Sequence, residues 1–123
     1  MKVPLPRDQI LTIFAFHPSI RFVTVVSKEG RLLDAVTHTG MQSLEPPAET
    51  AKILQRWALS KGMLSGADDY FGRVKSVIVN REKLVEMLFP LSDQMVIISA
   101  RPGFPIKNTP RLEKLLNRLQ SEG

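Results

Sequence analysis

Three β-rich segments in the second half of the chain, residues 74–79, 84–89 and 94–100, are separated by only four residues each time. The connectors, 80–83 and 90–93, are rich in turn formers and far too short for the dozen or so residues that a parallel crossover needs. Segments joined this way pair antiparallel. Upstream, residues 21–27 and 31–37 repeat the pattern around Lys28, Glu29 and Gly30, a short loop with a glycine free to take positive φ, which predicts a hairpin. Phe22, Thr24 and Val26 share one face of the first strand, and Val23 and Val25 share the other. Neither face is purely polar, so that strand is expected to be central and covered on both sides.

Helical periodicity fills the remaining stretches. Residues 7–16 carry an apolar stripe of Ile10, Leu11, Ile13 and Phe14, with Asp8 as a capping oxygen and Pro18 as a stop. After Pro47, which suits a first helical turn, residues 48–61 place Ala51, Leu54 and Ala58 on one face with Ile53 and Trp57 beside it. Continuation of this helix through Gly62 and Gly66 to Phe71 is expected, with a weak point at the glycines. At the carboxyl end, Thr109 is placed to cap a helix with Pro110 at its first position. Leu112, Leu115, Leu116 and Leu119 then recur on one helical face. The order is α-β-β-α-β-β-β-α, an α+β fold of one five-stranded antiparallel sheet. The long middle helix crosses one sheet face, and the terminal helices cover the other.

At 123 residues with 43% apolar and 24% charged side chains, the chain has the makings of one core and a single domain over residues 1–123. The absence of cysteine excludes disulfides, thiolate nucleophiles and thiol-rich metal sites, and suits a cytoplasmic setting. Lys2, Pro4, Pro6, Arg7 and Asp8 interrupt any apolar signal-peptide core, and no run approaches the roughly 20 apolar residues of a transmembrane helix. The net charge of +5 is spread along the chain and serves solubility before recognition.

The succession of elements resembles the roadblock/LC7 fold, a relative of profilin-like and longin domains, over nearly the whole chain. The matching stretches are Phe22-Val-Thr-Val-Val-Ser-Lys-Glu-Gly30, the helix over 48–61, Val74-Lys-Ser-Val-Ile-Val79, and Met95-Val-Ile-Ile-Ser-Ala100 followed by the leucine-faced helix. The pattern is also similar to small archaeal families of unknown function expected to share this sheet. The resemblance implies a non-enzymatic protein that dimerises through its third strand and central helix and serves as a platform for small GTPases or motor subunits. On this chain it points to Ile53 and Trp57 on the helix, and to Val74, Val77 and Val79 on the strand, as the dimer surface. The proline-rich link over 101–110 departs from the pattern.

Chemistry-bearing residues are sparse. His17 and His38 stand 21 positions apart with Asp34 as the one carboxylate partner considered, a spacing that specifies no metal site. Asp68, Asp69 and Tyr70 form an acidic–aromatic cluster beside Gly66 and Gly72 and read as the polar end of a helix. No serine, Ser27, Ser43, Ser60 and Ser65 included, lies in a Gly-x-Ser-x-Gly elbow, and neither phosphate-binding glycine motif occurs. Catalytic residues, cofactors and metals are therefore not expected. Lys107, Arg111, Lys114 and Arg118 make a basic surface on the final helix, but aromatics do not interleave with them, and Trp57, Tyr70 and most phenylalanines fall on expected core faces, which argues against nucleic acid. Trp57 reads equally as core packing and as an interface anchor. The leading expectation is a homodimeric scaffold or regulator, with a small GTPase or other protein as further partner. The alternative is a PAS-like or GAF-like small-molecule sensor, which requires a cavity between the sheet and the central helix.

Overall fold

The structure, a computed structural model, describes residues 5–38, 40 and 44–122. Residues 1–4, part of the polar amino end, and Ser43 lie outside the described residues. Five strands form one antiparallel sheet: β1 (Ile20–Ser27), β2 (Leu32–Thr37), β3 (Val77–Asn80), β4 (Val85–Pro90) and β5 (Gln94–Ala100). The two groups expected from turn chemistry, β1–β2 and β3–β4–β5, join where β1 pairs with β5, giving the order β2-β1-β5-β4-β3. Val23 lies opposite Ile98 and Val25 opposite Val96 in that central pair. A bulge between Val25 and Val26 skips Leu33 on β2 and bends that edge strand.

Alternation along β1 splits the core in two. Val23 and Val25 point into a cluster with Met87, Phe89, Val96 and Ile98, covered by α1 (Arg7–Phe14) and α4 (Thr109–Glu122). Val26 points the other way, into a cluster with Leu88, Met95 and Ile97 covered by Leu54 and Trp57 of α2 (Pro47–Ser65). The middle helix and the terminal helices thus take opposite faces, as the sequence predicts. Ile10 and Ile13 of α1 and Leu112, Leu116 and Leu119 of α4 are buried, which favours the folded state by roughly 1.5–3 kcal/mol for each side chain. Leu115 and Phe14 are half-buried, Leu11 is exposed, and so is Ala51 on α2.

Local differences from the sequence reading have identifiable causes. Helix α1 begins at Arg7 after the extended Pro6, so Asp8 sits in the first turn facing the positive helix end and caps nothing with its side chain. Thr109 is already helical, and its hydroxyl donates back to the Ile106 carbonyl (2.6 Å) of a preceding 3-10 turn, Ile106–Asn108. Helix α2 runs through Gly62 but ends at Ser65. There the amides of Gly66 and Ala67 reach back to Met63 and Leu64 at 3.3 Å, a tightened last turn, before a separate short helix α3 (Asp68–Phe71).

Strand β3 starts at Val77 rather than Val74. Val77 lies opposite Leu88, so the next partners toward Val74 are Phe89, Pro90 and Leu91. Pro90 has no amide to donate, and the Leu91 amide closes the β4–β5 turn on the Gln94 carbonyl at 2.8 Å. The ladder has nothing to continue on.

Candidate protein-interaction surface

Strand β3 is the last strand of the sheet and pairs, among the described residues, only with β4. Such an edge presents unpaired amide and carbonyl groups. The Arg81 amide donates to the Leu84 carbonyl at 2.9 Å, so by antiparallel alternation the groups of Val79 also face β4, and those of Ile78 and Asn80 face outward. Val77 and Val79 lie on the α2 side of the sheet and Ile78 on the opposite side; all three are half-buried.

Above this edge runs α2. Trp57 is 8% exposed and packs with Leu54 on the sheet, while Ile53 is half-buried at the rim. Ile53, Trp57 and Val79 line one shallow cavity of about 170 Å³ together with Arg56, Ser60, Arg81 and Glu86. Arg81 closes its rim by an ion pair between its guanidinium Nε and the Glu86 carboxylate. Four of the five residues expected at a dimer surface, Ile53, Trp57, Val77 and Val79, therefore gather along one sheet edge. Val74 does not join them: it is half-buried in the loop before β3 and lines a different cavity.

The sequence reading missed a set of exposed apolar side chains on α2 and α3. Leu59 and Met63 of α2 are 65% and 74% exposed, and Tyr70 and Phe71 of α3 are 84% and 87% exposed. Leu59 and Met63 are four positions apart and out of phase with Leu54 and Trp57, so they form a second, outward stripe. That offset is the signal available in the sequence. Tyr70 and Phe71 both depart from the expectation that aromatics occupy core faces.

The remaining candidate residues are spoken for or dispersed. His17 Nδ1 accepts the Ser19 amide at 3.1 Å, lies 2.8 Å from the Ser19 hydroxyl, and its ring meets Phe104 edge-on at 5.3 Å, a loop-holding role. His38 lies near the Phe14 ring (6.1 Å), and Asp34 pairs with Arg7. Among the described residues no group of three or more metal-ligating side chains converges. Lys107, Arg111, Lys114 and Arg118 are all exposed on α4 or just before it, opposite its buried leucines and on the sheet face away from α2. Between the sheet and α2 there is a cavity of about 160 Å³, lined by Thr24, Ile53, Trp57 and Ile97 among others. Ligand pockets commonly hold about 300–1,000 Å³, so the space a sensor of this architecture needs is not there among the described residues. No described helix is long and apolar enough to cross a membrane.

No protein-family model matches the sequence, and no curated protein matches it. Solved structures do resemble the fold. The gliding protein MglB from Thermus thermophilus superposes with a TM-score of 0.72 at 10% identity, covering 95% of this chain and 89% of that one. An MglB in a tetrameric arrangement gives 0.72 at 11% identity over 94% and 88%. A roadblock/LC7 domain from Streptomyces avermitilis gives 0.67 at 12% identity over 91% and 88%. The likeness to small archaeal families finds no support in these structures. At such identities the likeness speaks to architecture, and across nearly the full length of both chains it says that this protein has a roadblock/LC7-like fold.

Proposed function

We propose that the chain is a non-enzymatic homodimeric scaffold or regulator whose dimer surface is the free edge of β3 with the adjoining side of α2. The observation that carries the reading is the unpaired edge at Ile78 and Asn80 bordered by Ile53, Val77 and Val79, with Leu59 and Met63 exposed on the same helix. Edges of this kind in stable proteins are paired, covered or charged. A second copy supplies both a strand for the edge and an apolar helix for the stripe. The self-association of an MglB with the same architecture supports this. Val74, in the loop beside β3, belongs to the periphery of that surface.

A small GTPase or another protein is the further partner we assign to the assembled dimer, acting as a platform. Support comes from the architecture and from a chain whose histidines and Asp34 are engaged structurally. Size-exclusion chromatography with light scattering tests the first half: a dimer mass at tens of micromolar is expected, and a monomer mass overturns it. Pull-down of small GTPases by the dimer, against a dimer-disrupted variant, tests the second.

A further inference from the structure

A cavity of about 580 Å³ is lined from the β1–β2 turn, α2, α3, the loop before β3, the end of β4 with the turn after it, and α4. Lys28 from the β1–β2 turn, Lys61 from α2, and Arg73 and Lys75 from the loop before β3 line it. These four cations come from three segments distant in sequence, with Arg73 and Lys75 two positions apart, and the fold brings the segments together. Among the described residues none of the four has an ion pair or a side-chain hydrogen bond, whereas Arg7, Lys52 and Arg81 elsewhere each hold a carboxylate. The acidic residues in the lining are Asp68 and Glu113, which leaves two positive charges in excess. Lys61 is half-buried, which fixes the stem that carries its charge. Gathering uncompensated cations around one concavity is unfavourable in the free protein and focuses a positive potential into it.

A second observation points the same way. Asp68 leaves its Oδ1 buried and without a hydrogen-bond partner among the described residues, although it lines this cavity. A buried acceptor with no donor carries a desolvation penalty of about 1–3 kcal/mol until a donor arrives. Val74 and Leu91, both half-buried, add apolar contact to the lining. A ligand that meets the cationic set is small and carries several negative charges, and one that also brings a hydroxyl or amine donor engages Asp68.

We infer that this cavity binds a polyphosphate-bearing small ligand, with Lys28, Lys61, Arg73 and Lys75 on its phosphoryl oxygens. The volume lies within the range of small-molecule sites. Arg73 offers a planar fork suited to two oxygens of one phosphoryl group, and the lysines act as point charges. The shared chemistry is a chain of phosphoryl groups, whether carried by a nucleotide or present as an inorganic polyphosphate. Ile53, Trp57, Val77 and Val79 do not line the cavity, and Val74, at the periphery of the proposed dimer surface, is where the two regions adjoin.

Isothermal titration calorimetry of the whole chain with ATP and, separately, with inorganic tripolyphosphate, in magnesium-free buffer near physiological salt, tests the inference. Saturable binding of either probe at one site per chain is expected. Tighter ATP assigns a nucleotide, and tighter tripolyphosphate assigns the inorganic chain. Lys61→Glu combined with Arg73→Glu is expected to weaken binding at least tenfold, while Lys107→Glu combined with Arg111→Glu on α4 leaves it within twofold. Both double variants change exposed or half-buried charges, and circular dichroism verifies that each is folded. Absence of saturable heat with both probes, an equal loss in the α4 variant, or polyglutamate binding as tightly as tripolyphosphate each overturns the assignment.

Discussion

Gly30 presses against the backbone of Leu54: a β-carbon at position 30 would lie 3.0 Å from the Leu54 carbonyl oxygen, and equally close to Gln55 Cα. The same residue has φ of +90° at the end of the β1–β2 turn, where its amide donates to the Ser27 carbonyl at 3.0 Å. One glycine thus sets both the hairpin geometry and the distance at which α2 rides over the sheet. Gly30→Ala meets strain at φ and a collision with helix backbone that has no flexible side chain to yield. A loss of about 1–3 kcal/mol is expected, read from urea unfolding at fixed protein concentration. Gly62→Ala is the control. It is helical with nothing within 4 Å of an added β-carbon, and is expected to stabilise by about 0.5–1 kcal/mol. If the two substitutions shift stability alike, the close approach at Gly30 does not set the helix position.

The leucines of α4 give a graded test of the core. Leu112 and Leu116 are fully buried between α4 and the sheet, whereas Leu115 is half-buried. Leu112→Ala or Leu116→Ala is expected to remove about 2–5 kcal/mol, and Leu115→Ala under half of that, in thermal or denaturant unfolding. Equal losses at all three positions would mean that α4 is rotated on the sheet from the orientation described.

The contrast between those leucines also shows how much the sequence discloses. Short connectors at 80–83 and 90–93 and alternation at 22–26 suffice to specify an antiparallel sheet with a doubly covered central strand, because turn length and side-chain period are local properties. Which strands end up adjacent is not local, and no turn specifies the β1–β5 pairing. The start of β3 was hidden because the reason lies in its partner: Pro90 withholds a donor opposite the residues that precede Val77. At the candidate interface, the family resemblance pointed to Ile53, Trp57, Val74, Val77 and Val79, of which Val74 stands apart, but an outward stripe of Leu59 and Met63 reads like noise beside the Leu54–Trp57 face. The cationic cavity was illegible, since Lys28 and Lys61 join the Arg73–Lys75 pair only after folding.

Leu59 and Met63 separate interface from core. Both are mostly exposed in the single chain, so Leu59→Glu and Met63→Glu are expected to change monomer stability by no more than about 0.5 kcal/mol. Placed in a helix-against-helix dimer surface, each introduces a carboxylate opposite its own copy or an apolar neighbour. The double variant is expected to run at monomer mass in light scattering at concentrations where the parent chain is dimeric. A dimer that survives both charges would remove this stripe of α2 from the interface.

Asn80→Pro examines the strand edge by itself. The Asn80 side chain is exposed, and its amide faces away from β4, because the neighbouring Arg81 amide is the one that reaches the Leu84 carbonyl. Proline there withdraws one outward donor and sets a ring where a partner strand would approach, while the ladder to β4 keeps its bonds. Val79→Pro is the opposite case: its amide faces β4, and the loss of that bond in a four-residue strand leaves a β4 carbonyl without its donor and is expected to destabilise the fold by about 1–3 kcal/mol. The expected result is therefore a pair of dissociated behaviours. Asn80→Pro keeps a melting profile close to that of the Leu59→Glu/Met63→Glu monomer and shifts to monomer mass, and Val79→Pro unfolds at markedly lower temperature. An Asn80→Pro protein that remains dimeric at the same concentration would show that copies do not meet through β3, leaving α2 alone to hold any assembly.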